Sequence, residues 1–112
     1  MLIKINLLKN SIGADQAEAF GDILVSHPTL KSLCGLDPDA TEADFSNQGL
    51  KSDDAILIAH SIKFNSPMRK ITWGDGEKVY TVHASQEALD LSGRGLQAHD
   101  AQIVAAMLPK CT

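Results

Sequence analysis

Apolar residues along the chain switch repeatedly between two spacings. Alternating pairs with a period of two occur three times, at Ile5 and Leu7, Ala43 and Phe45, and Leu89 and Leu91. Such alternation predicts strands with one buried face. After each pair comes a polar segment, and then apolar residues recur at i, i+3, i+4 and i+7, in Ala17–Leu24, Ala55–Ile62 and Ala101–Leu108. That spacing predicts amphipathic helices, so the chain reads as three strand–helix units.

The ends of the predicted helices carry the expected residue types. Acidic residues, which the helix dipole favours at an N-terminus, open each one: Asp15, Asp53, Asp54 and Asp100. A proline follows each helix closely, at Pro28, Pro67 and Pro109. Proline cannot continue a helix, which supports these boundaries.

The three units also align as internal repeats. Alignment of the second unit with the third places Asp44, Ser46, Gly49 and Leu50 on Asp90, Ser92, Gly95 and Leu96. Alignment of the first unit with the second places Leu7, Asn10, Ile12 and Ala17 on Phe45, Gln48, Leu50 and Ala55. Apolar positions stay in phase through all three copies, which indicates internal repetition.

The first copy fits the pattern Leu-x-x-Leu-x-Leu-x-x-Asn-x-Ile at Leu2, Ile5, Leu7, Asn10 and Ile12. The frame restarts at Leu30 and Leu33, and again at Ala40, Ala43 and Phe45. It restarts once more at Met68, Ile71 and Trp73, and the step from Ala40 to Met68 has the same length as the step from Leu2 to Leu30. The chain therefore resembles the ribonuclease-inhibitor-like class of leucine-rich repeats, whose long repeats contain a full helix. The later copies carry Gln48 and Arg94 where the pattern has Asn, and Gly49 and Gly95 relax the backbone there.

This resemblance implies an α/β fold: a short leucine-rich-repeat solenoid with strands on one face and about three helices on the other. We expect one domain over 1–112, with repeat units at about 2–29, 40–67 and 86–112 and β-only connections at 30–39 and 68–85. Gly74-Asp75-Gly76 lies between alternating runs and predicts a β-hairpin near 69–83. The step from Leu30 to Ala40 is short for a parallel crossover, so strand direction around 30–45 stays open.

The resemblance also implies a function, because the concave sheet of this family usually binds proteins. The chain is then a non-enzymatic interaction module or scaffold, and its partner-binding residues on the strand face are Asn6, Glu42, Asp44, Lys70, Thr72 and Asp90. The repeat frame also places Lys4, Ser32, Cys34 and Ala88 on the exposed surface of the strands. The acidic centre with Lys70 nearby favours a basic or mixed patch on the partner. The alternative is that these are ordinary solvated sheet residues.

Two other functions are kept open. Some ribonuclease-inhibitor-like repeats activate small GTPases, a role that needs polar residues on strand-to-helix turns, and here only Gln48 and Arg94 qualify. The chain is otherwise a structural segment of a longer array, or a homo-oligomer formed through an uncapped sheet edge, since unpaired edges invite pairing.

Composition narrows the classes further. The net charge is −4 and there is no basic run, which argues against nucleic-acid binding. No apolar run approaches the roughly 18 residues that a membrane span requires. Aromatic residues are only 4% of the chain, so the core is built of smaller aliphatic side chains. Cys34 and Cys111 lie far apart, which favours free thiols in a reducing, cytoplasmic compartment.

No pattern for catalysis, a cofactor or a metal stands out. "GDGEK" lacks the spacing of a phosphate-binding loop, and the four histidines lack metal-ligand spacing. "DPDATEAD" lacks the Gly and Glu that a calcium loop needs. Trp73 falls on an inward position of the repeat frame, which favours a place in the core over an exposed binding position. The frame places it with Leu7, Phe45 and Leu91 on a single inward spine.

Overall fold

Three helices and a three-stranded open sheet make up the part of the chain that the computed structural model describes, residues 2–65 and 67–110. The elements in chain order are α1 (Ala14–Ser26), β1 (Glu42–Asp44), α2 (Ser52–Phe64), β2 (Lys70–Asp75), β3 (Lys78–His83) and α3 (Ala98–Met107), followed by a 3-10 turn at Leu108–Lys110. The α/β class predicted from the alternating periods is confirmed.

The sheet contains one parallel and one antiparallel pairing. β1 pairs with β2 in parallel, with Glu42 opposite Lys70, and α2 forms the crossover between them. The paired residues Glu42 and Lys70 are the same number of positions apart in the sequence as Ala40 and Met68, which begin two copies of the repeat frame. β2 and β3 pair antiparallel around Gly76 and Glu77, which confirms the hairpin predicted near 69–83.

Gly74 allows the hairpin strands to lie close together. Its φ is +104°, and a Cβ at this position would lie 1.9 Å from the backbone oxygen of Lys78. Only glycine fits here without moving the partner strand.

A short parallel pairing also forms near Leu30 and Leu33, where the repeat frame first restarts. The backbone N–H groups of Ile5 and Leu7 donate to the carbonyl oxygens of Ser32 and Leu33, at 3.0 and 2.9 Å. The bridge between Lys4 and Ser32 is parallel, and the next one, between Asn6 and Cys34, is antiparallel. Between these bridges the chain turns, because the Ser32 hydroxyl accepts hydrogen bonds from the N–H groups of Cys34 and Leu36. The strand direction that the sequence left open thus changes within this segment.

The prediction of a strand at Leu89–Leu91 is wrong. Residues 84–97 form turns and irregular structure, with no strand. The position beside β2 is already filled by β3, and the chain then follows the outer edge of β3. There Gln86 accepts a hydrogen bond from the N–H of His83 at 2.7 Å, and the Arg94 guanidinium donates to the carbonyl oxygen of Val79 at 2.8 Å.

Helix α2 lies in the middle of the helical layer and packs against both α1 and α3. Its buried apolar residues belong to two separate clusters. The first is centred on α1 and contains Ala17, Leu24, Leu30, Leu33, Ile56 and Leu57. The second joins α2, the sheet and α3, and includes Ile58, Ile62, Ile71, Trp73, Tyr80 and Ile103. Full burial of one such aliphatic side chain contributes about 2 kcal/mol to folding. Because α2 contributes side chains to both clusters, it connects them.

The repeat frame treats Leu7, Phe45, Trp73 and Leu91 as equivalent inward positions on a single spine. Phe45, Trp73 and Leu91 do belong to the second cluster, but Leu7 packs in the first. The two clusters meet at the partly buried Leu8, which packs against both. The core is therefore divided between two clusters at α2, and the prediction of a single spine through these four residues is wrong.

Candidate functional site

The same turn precedes each of the three helices. The Asn6 side-chain oxygen accepts a hydrogen bond from the N–H of Leu8 at 3.0 Å. Asp44 accepts one from the N–H of Ser46, and Asp90 from the N–H of Ser92, both at 2.9 Å. The interval from the accepting side chain to the start of the helix is the same each time: 6 to 14, 44 to 52 and 90 to 98. The repeat seen in the sequence is thus a repeat of local structure.

The backbone of these turns matches as well. The first left-handed residue has φ of +64°, +57° and +66° at Lys9, Asn47 and Gly93. The second has φ of +51°, +67° and +72° at Ser11, Gly49 and Gly95. These residues are equivalent under the same alignments that relate the three units in the sequence. Glycine fills the strained positions in the last copy, whereas Lys9 and Ser11 adopt them at a cost in the first.

Buried carboxylates tie α2 and α3 to earlier segments of the chain. Asp54 accepts a hydrogen bond from the N–H of Lys51 at the start of its own helix, and its second oxygen accepts one from the N–H of Lys9. Asp100 caps α3 in the same way, through the N–H of Gln97 at 3.0 Å. Its other oxygen accepts the indole N–H of Trp73. Both carboxylates are therefore capping and connecting groups.

Four of the six predicted partner-binding residues lie together on the outer face of the sheet. Register places Glu42 beside Lys70 and Asp44 beside Thr72. The Thr72 hydroxyl forms a 3.0 Å hydrogen bond with the Thr81 hydroxyl, which extends the polar surface onto β3. We call Glu42, Asp44, Lys70, Thr72 and Thr81 the strand face. The residues between them on β2 and β3 point to the buried side, since Ile71, Trp73, Tyr80 and Val82 are all buried.

The other two predicted residues lie elsewhere. Asn6 belongs to the short pairing with residues 31–35, and Asp90 lies in the irregular segment between β3 and α3, so neither lies on the three-stranded sheet. Two further positions that the repeat frame displays are buried: Ser32 is 2% exposed and Cys34 is 4% exposed. They turn inward because the chain bends at this point. Burial raises the pKa of the Cys34 thiol, and Cys111 lies outside the described residues.

Local hydrogen bonds set the charge of two of these carboxyl groups. The Ser46 hydroxyl donates to Asp44 at 2.6 Å, and with the Ser46 backbone N–H it lowers the pKa of that carboxyl. Lys70 adds a smaller electrostatic effect in the same direction. Ser92 lowers the pKa of Asp90 in the same way. Both groups are ionised at neutral pH.

A cleft of about 190 Å³ opens where β1 and β2 end and α2 and α3 begin. In open α/β sheets this carboxyl edge of the parallel strands is the usual place for ligands. The apolar part of its lining consists of Phe45, Leu50, Ala55, Ile58, Trp73, Tyr80 and Ile103. The polar part consists of Lys51, Asp75, Lys78, Gln97, His99 and Asp100. Sequence reasoning identified none of these residues as a site, because they come together only through the sheet order.

The two residues proposed for GTPase activation lie on turns, as expected, but interact with their own surroundings. The Arg94 guanidinium lies 5.1 Å from the centre of the Tyr80 ring and donates to the carbonyl oxygen of Val79. The Tyr80 hydroxyl in turn donates to the carbonyl oxygen of Arg94 at 2.9 Å. The Gln48 amide approaches the carbonyl oxygen of Asp44 at 3.5 Å.

Residues 2–65 and 67–110 lack two features. No three His, Cys, Asp or Glu side chains in this part of the chain are grouped to hold a metal ion. No helix there has the length and apolar character needed to cross a membrane.

Comparison with known proteins identifies no relative: no family model matches the chain, and neither does any curated protein or solved structure.

Proposed function

We propose that the protein is a non-enzymatic interaction module, built as a short leucine-rich-repeat solenoid, which binds a protein partner on its strand face. The structural repetition supports the repeat assignment. Three equivalent turns each lead into a helix, the helices pack side by side in chain order, and the two parallel pairings, Lys4 with Ser32 and Glu42 with Lys70, have the same separation in sequence.

The observation that carries the binding proposal is the register of β1 against β2. It places the carboxylates of Glu42 and Asp44, both exposed, beside Lys70 and Thr72. Neighbouring strands lie about 5 Å apart, so these four side chains form one compact patch. Two acidic groups and one basic group present a mixed surface with a negative excess, which suits a partner patch with a basic excess. Complementary charge of this kind sets association rate and specificity.

Two alternatives receive less support from the geometry. Self-association through the β3 edge of the sheet would need backbone groups at Val79 and His83 that Arg94 and Gln86 already bind, whereas these contacts do not cover the opposite edge at β1. GTPase activation would need Arg94 to reach another protein, and its guanidinium is packed on Tyr80. Placement in a reducing compartment is part of the proposal, and the buried, free thiol of Cys34 supports it.

An affinity capture experiment with matched charge variants tests the proposal. The face variants are Glu42→Lys and Lys70→Glu, which leave the turn-forming carboxylate of Asp44 intact. The control variants are Glu87→Lys and Lys63→Glu, which make the same charge changes at exposed positions outside the strand face. We expect the wild type and the control variants to capture a protein that neither face variant captures. Calorimetric titration with the purified partner should rank the affinities of the variants in the same order.

Equal capture by the face and control variants would contradict the strand-face assignment. Circular dichroism and thermal unfolding of all four variants separate lost binding from lost folding. Because all four positions are at least partly exposed, we expect stability changes within about 0.5 kcal/mol.

A further inference from the structure

The cleft at the carboxyl edge of the sheet combines an apolar interior with an excess of exposed positive groups at its opening. Trp73, Tyr80 and Ile103 line its inner wall and are buried. Lys51 and Lys78 line it as well and are exposed. A site with this distribution suits a ligand that has an apolar body and an anionic end.

Both acidic residues of the cleft accept hydrogen bonds from the protein, but only one of them is buried. Asp100 is buried, one of its oxygens accepts the Trp73 indole N–H and the other accepts the N–H of Gln97. One oxygen of Asp75 accepts the backbone N–H of Gly49 at 3.2 Å. In contrast, the ammonium groups of Lys51 and Lys78 have no carboxylate partner among residues 2–65 and 67–110. The exposed charges at the opening are those of Lys51, Lys78 and Asp75, so the positive groups outnumber the negative one.

The size of the cleft limits the ligand. Its 190 Å³ lies below the roughly 300–1,000 Å³ of pockets that enclose drug-sized molecules. It corresponds to about six waters at their liquid volume, which leaves room for one aliphatic or aromatic side chain. Capture of a C-terminal carboxylate is a recurring mode of peptide recognition, in which the carboxylate supplies the negative charge.

We infer that the cleft binds the C-terminal residue of a partner protein, with an apolar last side chain against Trp73 and Tyr80 and the α-carboxylate between Lys51 and Lys78. This inference rests on the proposed function, since it names the part of the partner that the domain recognises. The strand face then contacts the folded part of the partner, and the cleft binds the partner's C-terminal residue.

The test uses a short peptide as the probe and the protein's single tryptophan as the reporter. Trp73 lines the cleft, so binding changes its fluorescence. The probe is acetyl-Gly-Gly-Leu with a free carboxylate, and its C-terminal amide is the matched control. For so small a contact we expect a Kd on the order of 1 mM for the acid. The amide binds about tenfold more weakly, because the charge-assisted contacts to lysine are lost.

Variants locate the site. Lys51→Met and Lys78→Met keep the length of the side chain and remove its charge, and each weakens binding of the acid about fivefold. Lys63→Met, an exposed lysine of α2 that does not line the cleft, leaves binding unchanged. Chemical-shift mapping should show the largest changes at the backbone amides of residues 49–51 and 95–100.

Several results would overturn the inference. Equal binding of acid and amide removes the role of the carboxylate, and equal effects of Lys51→Met and Lys63→Met remove the role of the cleft. If 4-methylpentanoate, which carries the same side chain and carboxylate without a peptide, binds as tightly as the tripeptide, then the ligand is a free carboxylic acid and the assignment to a protein terminus is wrong.

Failure of this inference is distinguishable from failure of the proposed function. Glu42→Lys lies on the strand face and leaves tripeptide binding unchanged if the cleft acts as inferred. A partner that depends on Glu42 and Lys70 but binds equally well with its C-terminus amidated supports the strand face and refutes the cleft.

Discussion

The indole Nε1 of Trp73 donates a 3.0 Å hydrogen bond to a carboxylate oxygen of Asp100, and both side chains are buried. The bond joins the middle strand of the sheet to the first turn of α3. Since the other oxygen of Asp100 accepts the N–H of Gln97, one carboxylate both caps the helix and attaches it to the sheet. The third helix is thus anchored although no strand of its own precedes it.

Trp73→Phe should therefore lower the free energy of unfolding by about 2 kcal/mol, because it leaves a buried acceptor without its main donor. Urea unfolding followed by circular dichroism measures this, since the variant lacks tryptophan fluorescence. A cycle with Asp100→Asn should show that the two changes are not additive. Additive effects would mean that the hydrogen bond contributes nothing beyond packing.

Two glycines of the hairpin should respond differently to alanine. Gly74→Ala places a Cβ 1.9 Å from the Lys78 backbone oxygen at a φ of +104°, so we expect a loss of several kcal/mol or failure to fold. Gly76→Ala has no atom within 4 Å of the new Cβ and only a left-handed φ of +58°, which costs about 1 kcal/mol. Thermal unfolding of the pair measures the difference, and similar losses would contradict the close approach of β2 and β3 at Gly74.

Strain in the first turn predicts a stabilising substitution. Ser11 has φ +51°, and its equivalents in the other two turns are Gly49 and Gly95. Ser11→Gly should raise the free energy of unfolding by about 1 kcal/mol because glycine adopts this conformation without steric cost. Gly49→Ala, where nothing lies within 4 Å of the new Cβ, is the reverse experiment and should lower stability by a similar amount. A neutral or destabilising Ser11→Gly would show that the three turns are not equivalent.

The acidic turns predict a pH dependence of stability. The Ser46 and Ser92 hydroxyls and N–H groups lower the pKa values of Asp44 and Asp90 below the ordinary 3.8. Because the folded-state pKa is the lower one, the turns contribute their full stability above pH 3.8 and lose it as the pH falls through the folded values. Carboxyl-carbon NMR titration should show both pKa values below 3.8, and Ser46→Ala should raise that of Asp44 alone. An unchanged Asp44 titration in Ser46→Ala would contradict this cause.

The helices, the hairpin and the repetition could be predicted because each leaves a local signal: a helical period, a Gly-Asp-Gly turn, or an aligned Asp–Ser pair. The strand at Leu89–Leu91 was predicted wrongly because alternation alone does not guarantee a neighbouring strand to pair with. β3 had already taken the place beside β2.

The cleft could not be predicted for a related reason. Lys51, Lys78 and His99 come from three separate segments, and they converge only once the parallel register of β1 and β2 and the reversal at the hairpin are known. Burial of Ser32 and Cys34 likewise depends on a bend that the repeat frame does not contain. Non-local pairing decides the cleft, and the local hydrogen bonds to the Ser32 hydroxyl decide the bend.

Because the distance from each turn to its helix is constant, the repeats differ in length only along the path from the end of one helix to the next turn. The return path from the end of α1 at Ser26 to Asp44 is shorter than the path from the end of α2 at Phe64 to Asp90. The longer path is the one that contains the hairpin. Evolution or an engineer can therefore lengthen the chain at the exposed segment 85–88 and leave the turns, the helix starts and the cleft unaltered.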